Sequence, residues 1–147
     1  MTRSGSSEAE IRNLITDLSE ALHDKDAKRV LSHYAAGSVV FDLAPPLQHA
    51  GAGESSEKDL SDWFATWQGP IGHETRDVNI TTDGQIAYCH GFIRISGTKV
   101  DGERNDVWAR QTMCLKKVDG AWKITHDHTS VPFYMDGSYR AAVDLKP

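Results

Sequence analysis

The sequence VWARQTMCLKKVDGAWKITHDHTSVPF, from Val107 to Phe133, contains two runs that alternate between apolar and polar residues and are joined by Asp119-Gly120. Alternation with a period of two is typical of β-strands, because successive side chains point to opposite faces of a sheet. An Asp-Gly pair between two such runs predicts a type I′ turn, in which both central residues have positive φ. We therefore predict an antiparallel hairpin with strands over about 107–118 and 121–131.

Two more Asp-Gly pairs, at 83–84 and 101–102, continue this pattern toward the N-terminus. The residues around them alternate in the same way and predict strands over about 73–82 and 85–96. Strands that follow one another through tight turns pair as neighbours. The four strands therefore predict an antiparallel meander.

The first half of the chain carries helical periodicity. Ser7 with Glu10 forms a capping-box pattern before a first helix, which we expect to extend to about Asp24. Asp26 is placed to cap a second helix that runs toward Gly37. Apolar residues recur every three or four positions in three predicted helices: Ile11, Leu14, Ile15, Leu18 and Leu22, then Val30, Leu31 and Tyr34, then Leu60, Trp63, Phe64 and Trp67.

The order of these elements decides the fold class. The sequence SVVFDL, at 38–43, predicts one short strand between the second and third helices. Helices first and a run of antiparallel strands afterwards are typical of an α+β domain, with the helices packed on one face of the sheet. We predict a single domain over 1–147, with tails at 1–6 and about 135–147.

Charge and hydropathy exclude several classes of function. The formal net charge is −5, from 16 Lys and Arg against 21 Asp and Glu, and the basic residues are scattered. This argues against a nucleic-acid surface, because phosphate backbones require clustered cations. No run of about 18 apolar residues occurs and the first ten residues lack an apolar core, so we expect neither a membrane span nor secretion.

The two cysteines, Cys89 and Cys114, each lie in a predicted buried strand. Small core residues are the favoured interpretation, and a disulfide or a catalytic thiol is the alternative. Together with the lack of a secretion signal, this usage predicts a cytoplasmic protein.

Three segments carry a resemblance to a known family. YAAGSVVFDLAPP, from Tyr34 to Pro46, and the two strands of the 107–133 hairpin resemble SnoaL-like polyketide cyclases and ketosteroid isomerases, which share the nuclear transport factor-like fold. The hairpin also resembles that of the association domain of calmodulin-dependent kinases. The resemblance implies an α+β cone, in which three N-terminal helices close a strongly curved antiparallel sheet around an internal pocket.

The same resemblance implies a function. It suggests a cofactor-independent isomerase, cyclase or dehydratase that acts by proton transfer on a small apolar carbonyl compound, with Asp42 where the family carries its catalytic aspartate. Leu18 stands at the place of the oxyanion-binding tyrosine of steroid isomerases, and Thr112 replaces an acid of the epoxide hydrolases of this fold. The alternative is a non-catalytic small-molecule-binding or oligomerisation module of the same fold.

Asp42 lies in an apolar context, between Phe41 and Leu43. A carboxylate that faces the interior of the cone is desolvated, which raises its pKa and makes it a usable base toward a carbon acid. In the other interpretation Asp42 faces water or caps a turn amide.

His126 and His128 are two residues apart and therefore share one face of the last strand. Trp122 and Ile124 belong to the same face, so we predict that both histidines point into the core and that Asp127 points away from it. We expect His126 to be neutral and structural, and His128 to be the functional partner of Asp42. A His-x-His pair without a third ligand does not predict a metal site.

Arg110 depends on the register of the hairpin. A strict two-residue turn pairs Val118 with Ala121 and turns Arg110 outward, whereas one bulged residue reverses its direction. An inward Arg110 binds a carboxylate or an enolate, and Arg94 is the alternative cation of the pocket.

We expect an apolar ligand pocket and a homodimer. The pocket residues predicted beside the catalytic set of Asp42, His128 and Arg110 are Trp63, Trp67, Tyr88, Trp108, Met113 and His126. A dimer through the outer face of the sheet includes Ile93, Ile95 and Ala109 as outward residues. No nucleotide or metal motif occurs, so we predict no cofactor.

Overall fold

The computed structural model describes residues 3–147, which form three helices and a curved, unclosed sheet of six strands. The order of the strands across the sheet is β2-β1-β6-β5-β4-β3, and all neighbours are antiparallel except β1 and β6. This is the predicted α+β cone. The helices are α1 (Arg3–His23), α2 (Ala27–Leu31) and α3 (Glu54–Phe64), and the strands are β1 (Tyr34–Phe41), β2 (His49–Ala50), β3 (Trp67–Thr82), β4 (Ile86–Lys99), β5 (Arg104–Val118) and β6 (Ala121–Ser130).

The core lies between α1 and the concave face of the sheet. Ile11 on α1, Ile71 on β3, Leu115 on β5 and Ile124 on β6 are each no more than 1% exposed. Burial of four large aliphatic side chains from four elements is the main apolar contribution to holding the helices on the sheet.

The two cysteines fit the core interpretation. Cys89 is buried, Cys114 is half-buried, and both are free thiols. Burial raises the pKa of Cys89 to about 11, so this thiol is not a thiolate at neutral pH.

Several predicted boundaries are wrong because tertiary pairing overrides local periodicity. Asp26 caps α2 as predicted, since its side chain accepts a hydrogen bond from the Arg29 amide at 3.1 Å. However, α2 ends at Leu31, and Tyr34 begins β1 instead of continuing the helix. In the same way α3 ends before Trp67, which begins β3 and is 4% exposed.

The predicted tails also differ from the structure. Residues 3–6 belong to α1, and residues 1–2 of the predicted N-terminal tail lie outside the described residues. At the other end Phe133 and Ala141 form an antiparallel bridge, and Ala142 is buried. The C-terminal segment is therefore packed against the rest of the chain.

The turn prediction is confirmed at one of its three places. Asp119 and Gly120 have φ values of 50° and 82°, the two positive values that a type I′ turn requires. At 83–84 and 101–102 the glycine alone has positive φ. There Asp83 and Asp101 accept hydrogen bonds from following amides, an arrangement that stabilises a different turn.

No helix within residues 3–147 is long and apolar enough to cross a membrane.

Two leucines provide a matched test of where the core lies. Leu115 is 1% exposed and Leu47 is 96% exposed. We expect Leu115→Ala to lower the free energy of unfolding by about 2–5 kcal/mol, because it leaves a cavity, and Leu47→Ala to change it by about 0.5 kcal/mol or less. Urea denaturation measures both values. Equal losses in the two variants would contradict this assignment of the core.

Candidate functional site

The pairing of β5 with β6 contains one extra residue. Leu115 pairs with Ile124, but the residue before it on β5, Cys114, pairs with His126 instead of Thr125. Thr125 is therefore left without a partner on β5, as in a β-bulge, and its hydroxyl donates to the Cys114 carbonyl at 3.2 Å.

The bulge exchanges the two faces of β6. Before it, Trp122 and Ile124 point into the core, as predicted, and are 6% and 0% exposed. After it, Asp127 points inward and is 5% exposed, whereas His128 is exposed on the opposite face. The predicted orientation of His126, His128 and Asp127 is wrong for this reason.

Asp127 is held by hydrogen bonds from two neighbouring strands. The Tyr34 hydroxyl, at the beginning of β1, donates to Asp127 Oδ2 at 2.7 Å. The Gln111 side-chain amide, on β5, donates to Asp127 Oδ1 at 3.1 Å. Both carboxylate oxygens thus have a donor in an otherwise apolar interior, as a buried acid requires.

The surroundings shift the proton affinities of this cluster. Burial raises the pKa of Asp127, and the negative charge of Asp42 raises it further, whereas the hydrogen bonds from Tyr34 and Gln111 act against the shift. Burial also raises the pKa of Tyr34 well above its ordinary value, with the Asp127 charge as the next cause. Tyr34 therefore remains a protonated donor at neutral pH, and Asp127 is a carboxyl group with an unusually high affinity for a proton.

Asp42 lies just beyond the end of β1 and is exposed. Its Oδ1 accepts a hydrogen bond from the Leu43 amide at 2.7 Å, which corresponds to the second of the two interpretations from sequence. Its charge nevertheless acts on both Asp127 and Tyr34. Asp42 is thus the solvent-facing neighbour of the buried cluster.

The two histidines lie around Phe41 on the outer side of β1 and β6. The ring centroid of Phe41 is 4.7 Å from that of His126 and 5.4 Å from that of His128. His126 Nδ1 lies 2.7 Å from the Val39 carbonyl oxygen, and since that oxygen only accepts, Nδ1 carries a proton. His126 is half-buried and His128 is exposed.

An open cleft of about 820 Å³ brings Asp42 and His128 together. Its walls are the segment 41–48, which includes the β1–β2 loop, and His128. The structure therefore places two of the three predicted catalytic residues on one cleft.

Arg110 lies apart from this cluster. The turn pairs Val118 with Ala121 as in the strict alternative, and Arg110 is exposed and points outward. The bulge is on β6, so it turns the histidines and leaves the direction of Arg110 unchanged.

Arg94, the alternative cation, is also on the outer face. It forms an ion pair with Asp106 at 2.7 Å, lies 3.5 Å from Glu74, and its guanidinium carbon is 5.9 Å from the ring centroid of Trp108. Neither arginine faces the interior.

The predicted pocket residues divide between the two faces. Met113 is buried and lines an internal cavity of about 10 Å³ together with Cys89 and Gln111. Tyr88 is 51% exposed on the outer face, because its neighbours in β4 point inward, and Trp108 lies beside Arg94 on that same face. The predicted inward orientation of Tyr88 and Trp108 is therefore wrong.

Trp63 and Trp67 pack together in the core, away from Asp127. Their ring centroids are 5.6 Å apart, and Lys99 Nζ lies 3.9 Å from the Trp67 ring centroid. Burial lowers the pKa of Lys99. This arrangement stabilises the junction of α3, β3 and β4.

The residues predicted to face outward in a dimer point inward. Ile93 and Ala109 are 5% and 4% exposed within the single chain, and Ile95 packs against the core. Ile93 pairs with Ala109 across β4 and β5, and Ile95 lies two residues along β4 on the same concave face. Their burial needs no partner subunit.

Within residues 3–147, no group of three or more His, Cys, Asp or Glu side chains could hold a metal ion.

Comparison with known proteins identifies the family. A family model for the SnoaL-like domain matches residues 11–134. The chain belongs to the SnoaL-like family. A comparison with curated proteins finds none that matches the sequence.

Solved structures support the same fold. An NTF2-like protein of unknown function from Pseudomonas putida KT2440 is 30% identical, with a TM-score of 0.85 over 98% of this chain and 99% of that chain. A hexachlorocyclohexane dehydrochlorinase, LinA type 2, is 16% identical, with a TM-score of 0.73 over 85% of this chain and 84% of that chain. An NTF2-like protein from Streptomyces avermitilis, provisionally named a dehydratase, is 15% identical, with a TM-score of 0.74 over 86% and 97%.

The raised pKa of Asp127 predicts a pH-dependent effect of Asp127→Asn. Because its pKa is raised above the ordinary 3.8, Asp127 binds a proton more tightly in the folded protein than in the unfolded chain. The stability that this protonation contributes is complete below pH 3.8 and is lost as the pH rises through the folded-state pKa. Asparagine can keep both hydrogen bonds if the Gln111 amide turns over. We expect the stability of Asp127→Asn relative to that of the wild type to increase as the pH rises from 3.5 to 7, as measured by urea denaturation. A stability difference that is the same at both pH values would contradict a raised pKa.

A second pH effect arises at His73, whose Nδ1 lies 2.8 Å from the Ser19 hydroxyl between β3 and α1. Burial lowers the pKa of His73 from 6.5 to about 4, so the stability that it contributes is complete above pH 6.5 and is lost as the pH falls through about 4. We expect His73→Gln to remove up to about 3 kcal/mol of acid sensitivity in this window. Denaturation at pH 7.5 and 4.5 measures it, and an unchanged acid sensitivity would contradict the shift.

Proposed function

We propose that this chain is a cofactor-independent enzyme that transfers a proton on an apolar carbonyl compound, in an isomerisation, cyclisation or elimination. The observation that carries this proposal is the Asp127 carboxyl group, buried on the concave face and hydrogen-bonded by Tyr34 and Gln111. An ionisable group with a perturbed pKa inside an apolar core is typical of an acid–base site.

The cluster contains the groups that enolisation needs. A substrate carbonyl oxygen takes the place of Asp127 as the acceptor of the Tyr34 hydrogen bond. The Asp127 carboxylate removes a proton from the carbon next to the carbonyl, and the electron pair of that C–H bond becomes the C=C bond of an enolate. The enolate oxygen is stabilised by Tyr34, and Asp127 then returns the proton to another carbon or to a departing oxygen.

Asp42 and Asp127 are proposed to act as a pair with different roles. Asp42 is exposed at the cleft, and its charge raises the pKa of the buried Asp127, which makes Asp127 a stronger base. The direct role of Asp42 as the base, which the family resemblance implies, is the alternative assignment within the same pair. His128 lines the same cleft and is placed to donate to a ligand there.

Similar proteins support this chemistry. A dehydrochlorinase and a provisionally named dehydratase share the fold, and both names describe eliminations that remove a proton from carbon. Proton abstraction is a step that the Asp127 cluster can perform with this chain's own residues.

A non-catalytic ligand-binding or oligomerisation module is the second candidate. The internal cavity beside Gln111 is only about 10 Å³, which is too small for a carbonyl substrate.

We further propose a homodimer through the outer face of β3, β4 and β5, where Phe92, Trp108 and Arg94 lie, and a cytoplasmic location in which Cys89 and Cys114 stay reduced.

Solvent-deuterium exchange tests the enzyme proposal without knowledge of the natural substrate. A panel of cyclic and linear ketones is incubated with the protein in D₂O, and deuterium at the α-carbon is measured by NMR. We expect Asp127→Asn to slow protein-dependent exchange by about 10²-fold or more, because it removes a general base. Tyr34→Phe removes the enolate donor and should slow exchange while Asp127 remains.

Asp119→Asn is the matched control, since Asn-Gly suits the same turn and the residue lies in the β5–β6 turn, away from the cluster. It should exchange at the wild-type rate. Asp42→Asn separates the two assignments: a loss as large as that of Asp127→Asn favours Asp42 as a direct participant. If no ketone exchanges faster with wild type than with both Asp127→Asn and Asp42→Asn, the binding-module candidate replaces the enzyme.

A further inference from the structure

We propose that the β1–β2 loop, residues 42–48, binds the apolar body of the carbonyl substrate, and that Leu43 and Leu47 select substrates by the length of that body. This inference rests on the proposed function for the identity of the ligand. It adds a binding surface and two specificity-determining residues that lie outside the Asp127 cluster.

The loop exposes apolar side chains that the fold does not need. Leu47 is 96% exposed and Leu43 is 45% exposed, and both follow β1 in the β1–β2 loop. The cleft that they line with Pro45 and Pro46 is apolar except for Asp42, Gln48 and His128. Exposed apolar side chains that adjoin one another in a cleft form a surface that an apolar ligand can cover.

The sizes of the two cavities point to the same place. Ligand pockets are commonly about 300–1,000 Å³, a range that includes the cleft of about 820 Å³. The internal cavity beside Gln111 and Met113, at about 10 Å³, has room for one water molecule. A ligand whose reacting carbonyl reaches Asp127 must therefore keep most of its volume in the cleft.

Asp42 connects the cleft with the buried cluster. It forms part of the cleft wall, and its charge raises the pKa of both Asp127 and Tyr34. In the strands themselves, Val40 is the Cα partner of Asp127, and Phe41 is that of His128. Phe41, in the cleft wall, and Val40, beside the buried carboxyl group of Asp127, are thus consecutive residues of β1.

The charges of the cleft limit the class of ligand. Asp42 repels an anion, and within the segment 41–48 no cation is present to bind a carboxylate or a phosphate. The ligand body is therefore an uncharged hydrocarbon chain or ring system with a ketone at one end. Each methylene that the loop covers should increase affinity about fourfold.

A series of 2-alkanones from butanone to 2-dodecanone tests this inference. Affinity is measured by titration of ¹³C-labelled methyl groups, with Leu43 and Leu47 as reporters of the loop and Ile15 and Leu115 as reporters of the core. We expect the loop methyl signals to shift and the affinity to rise with chain length. Leu47→Ser should reduce that dependence on chain length, whereas Val100→Ser, which replaces another exposed apolar residue (64% exposed) on the β4–β5 turn, should leave it unchanged.

The outcomes separate this inference from the proposed function. Shifts confined to the core methyl groups, an affinity independent of chain length, or no binding by any ketone would each overturn the role of the loop. Loop shifts with a chain-length dependence that Leu47→Ser reduces, but no Asp127-dependent deuterium exchange, would support the binding surface and overturn the enzyme. Asp127-dependent deuterium exchange without any shift of the loop methyl signals would support the enzyme and overturn the binding surface.

Discussion

The hydrogen bonds that join Asp127 to Tyr34 and Gln111 depend on a single extra residue, Thr125. Because side chains alternate along a strand, the bulge at Thr125 turns every later residue of β6 to the opposite face. Without it, a carboxylate would face the solvent and two histidines would face the core. With it, Asp127 on β6 is buried and accepts hydrogen bonds from Tyr34 on β1 and Gln111 on β5.

In the proposed function, Asp127 lowers the stability of the fold at neutral pH but supplies the proton-transferring group. A buried carboxylate disfavours the folded state at neutral pH, since its desolvation is only partly offset by two donors. Such a group is retained where its proton affinity is used, and the adjacent charge of Asp42 increases that affinity further. In the proposed function, the open cleft beside Asp42 holds the apolar ligand, because the internal cavity beside Gln111 is too small for it.

Much of the fold follows from local patterns, and the site does not. The Asp119-Gly120 turn fixes the pairing of Val118 with Ala121, and this pairing correctly turns Arg110 outward. The inward direction of Asp127 depends on the bulge, and Thr125 suits a regular strand as well as a bulged one, so no local signal marks it.

Tyr34 shows the other limit of local reasoning. It lies four residues after Val30 and so continues a helical stripe, but pairing with Ile124 on β6 places it in a strand. That partner is 90 residues away in the sequence, where periodicity carries no information. Gln111 is likewise unremarkable in sequence, and only the position of Asp127 gives it a role.

The protonation of Asp127 tests most directly whether this buried carboxyl group has a raised proton affinity. Titration of the ¹³Cγ resonance of Asp127, in wild type and in Asp42→Asn, reports the pKa of this carboxyl group itself. We expect a midpoint above the ordinary 3.8 that moves downward when the Asp42 charge is removed. A midpoint at or below 3.8 in the wild type, unchanged in Asp42→Asn, would contradict it.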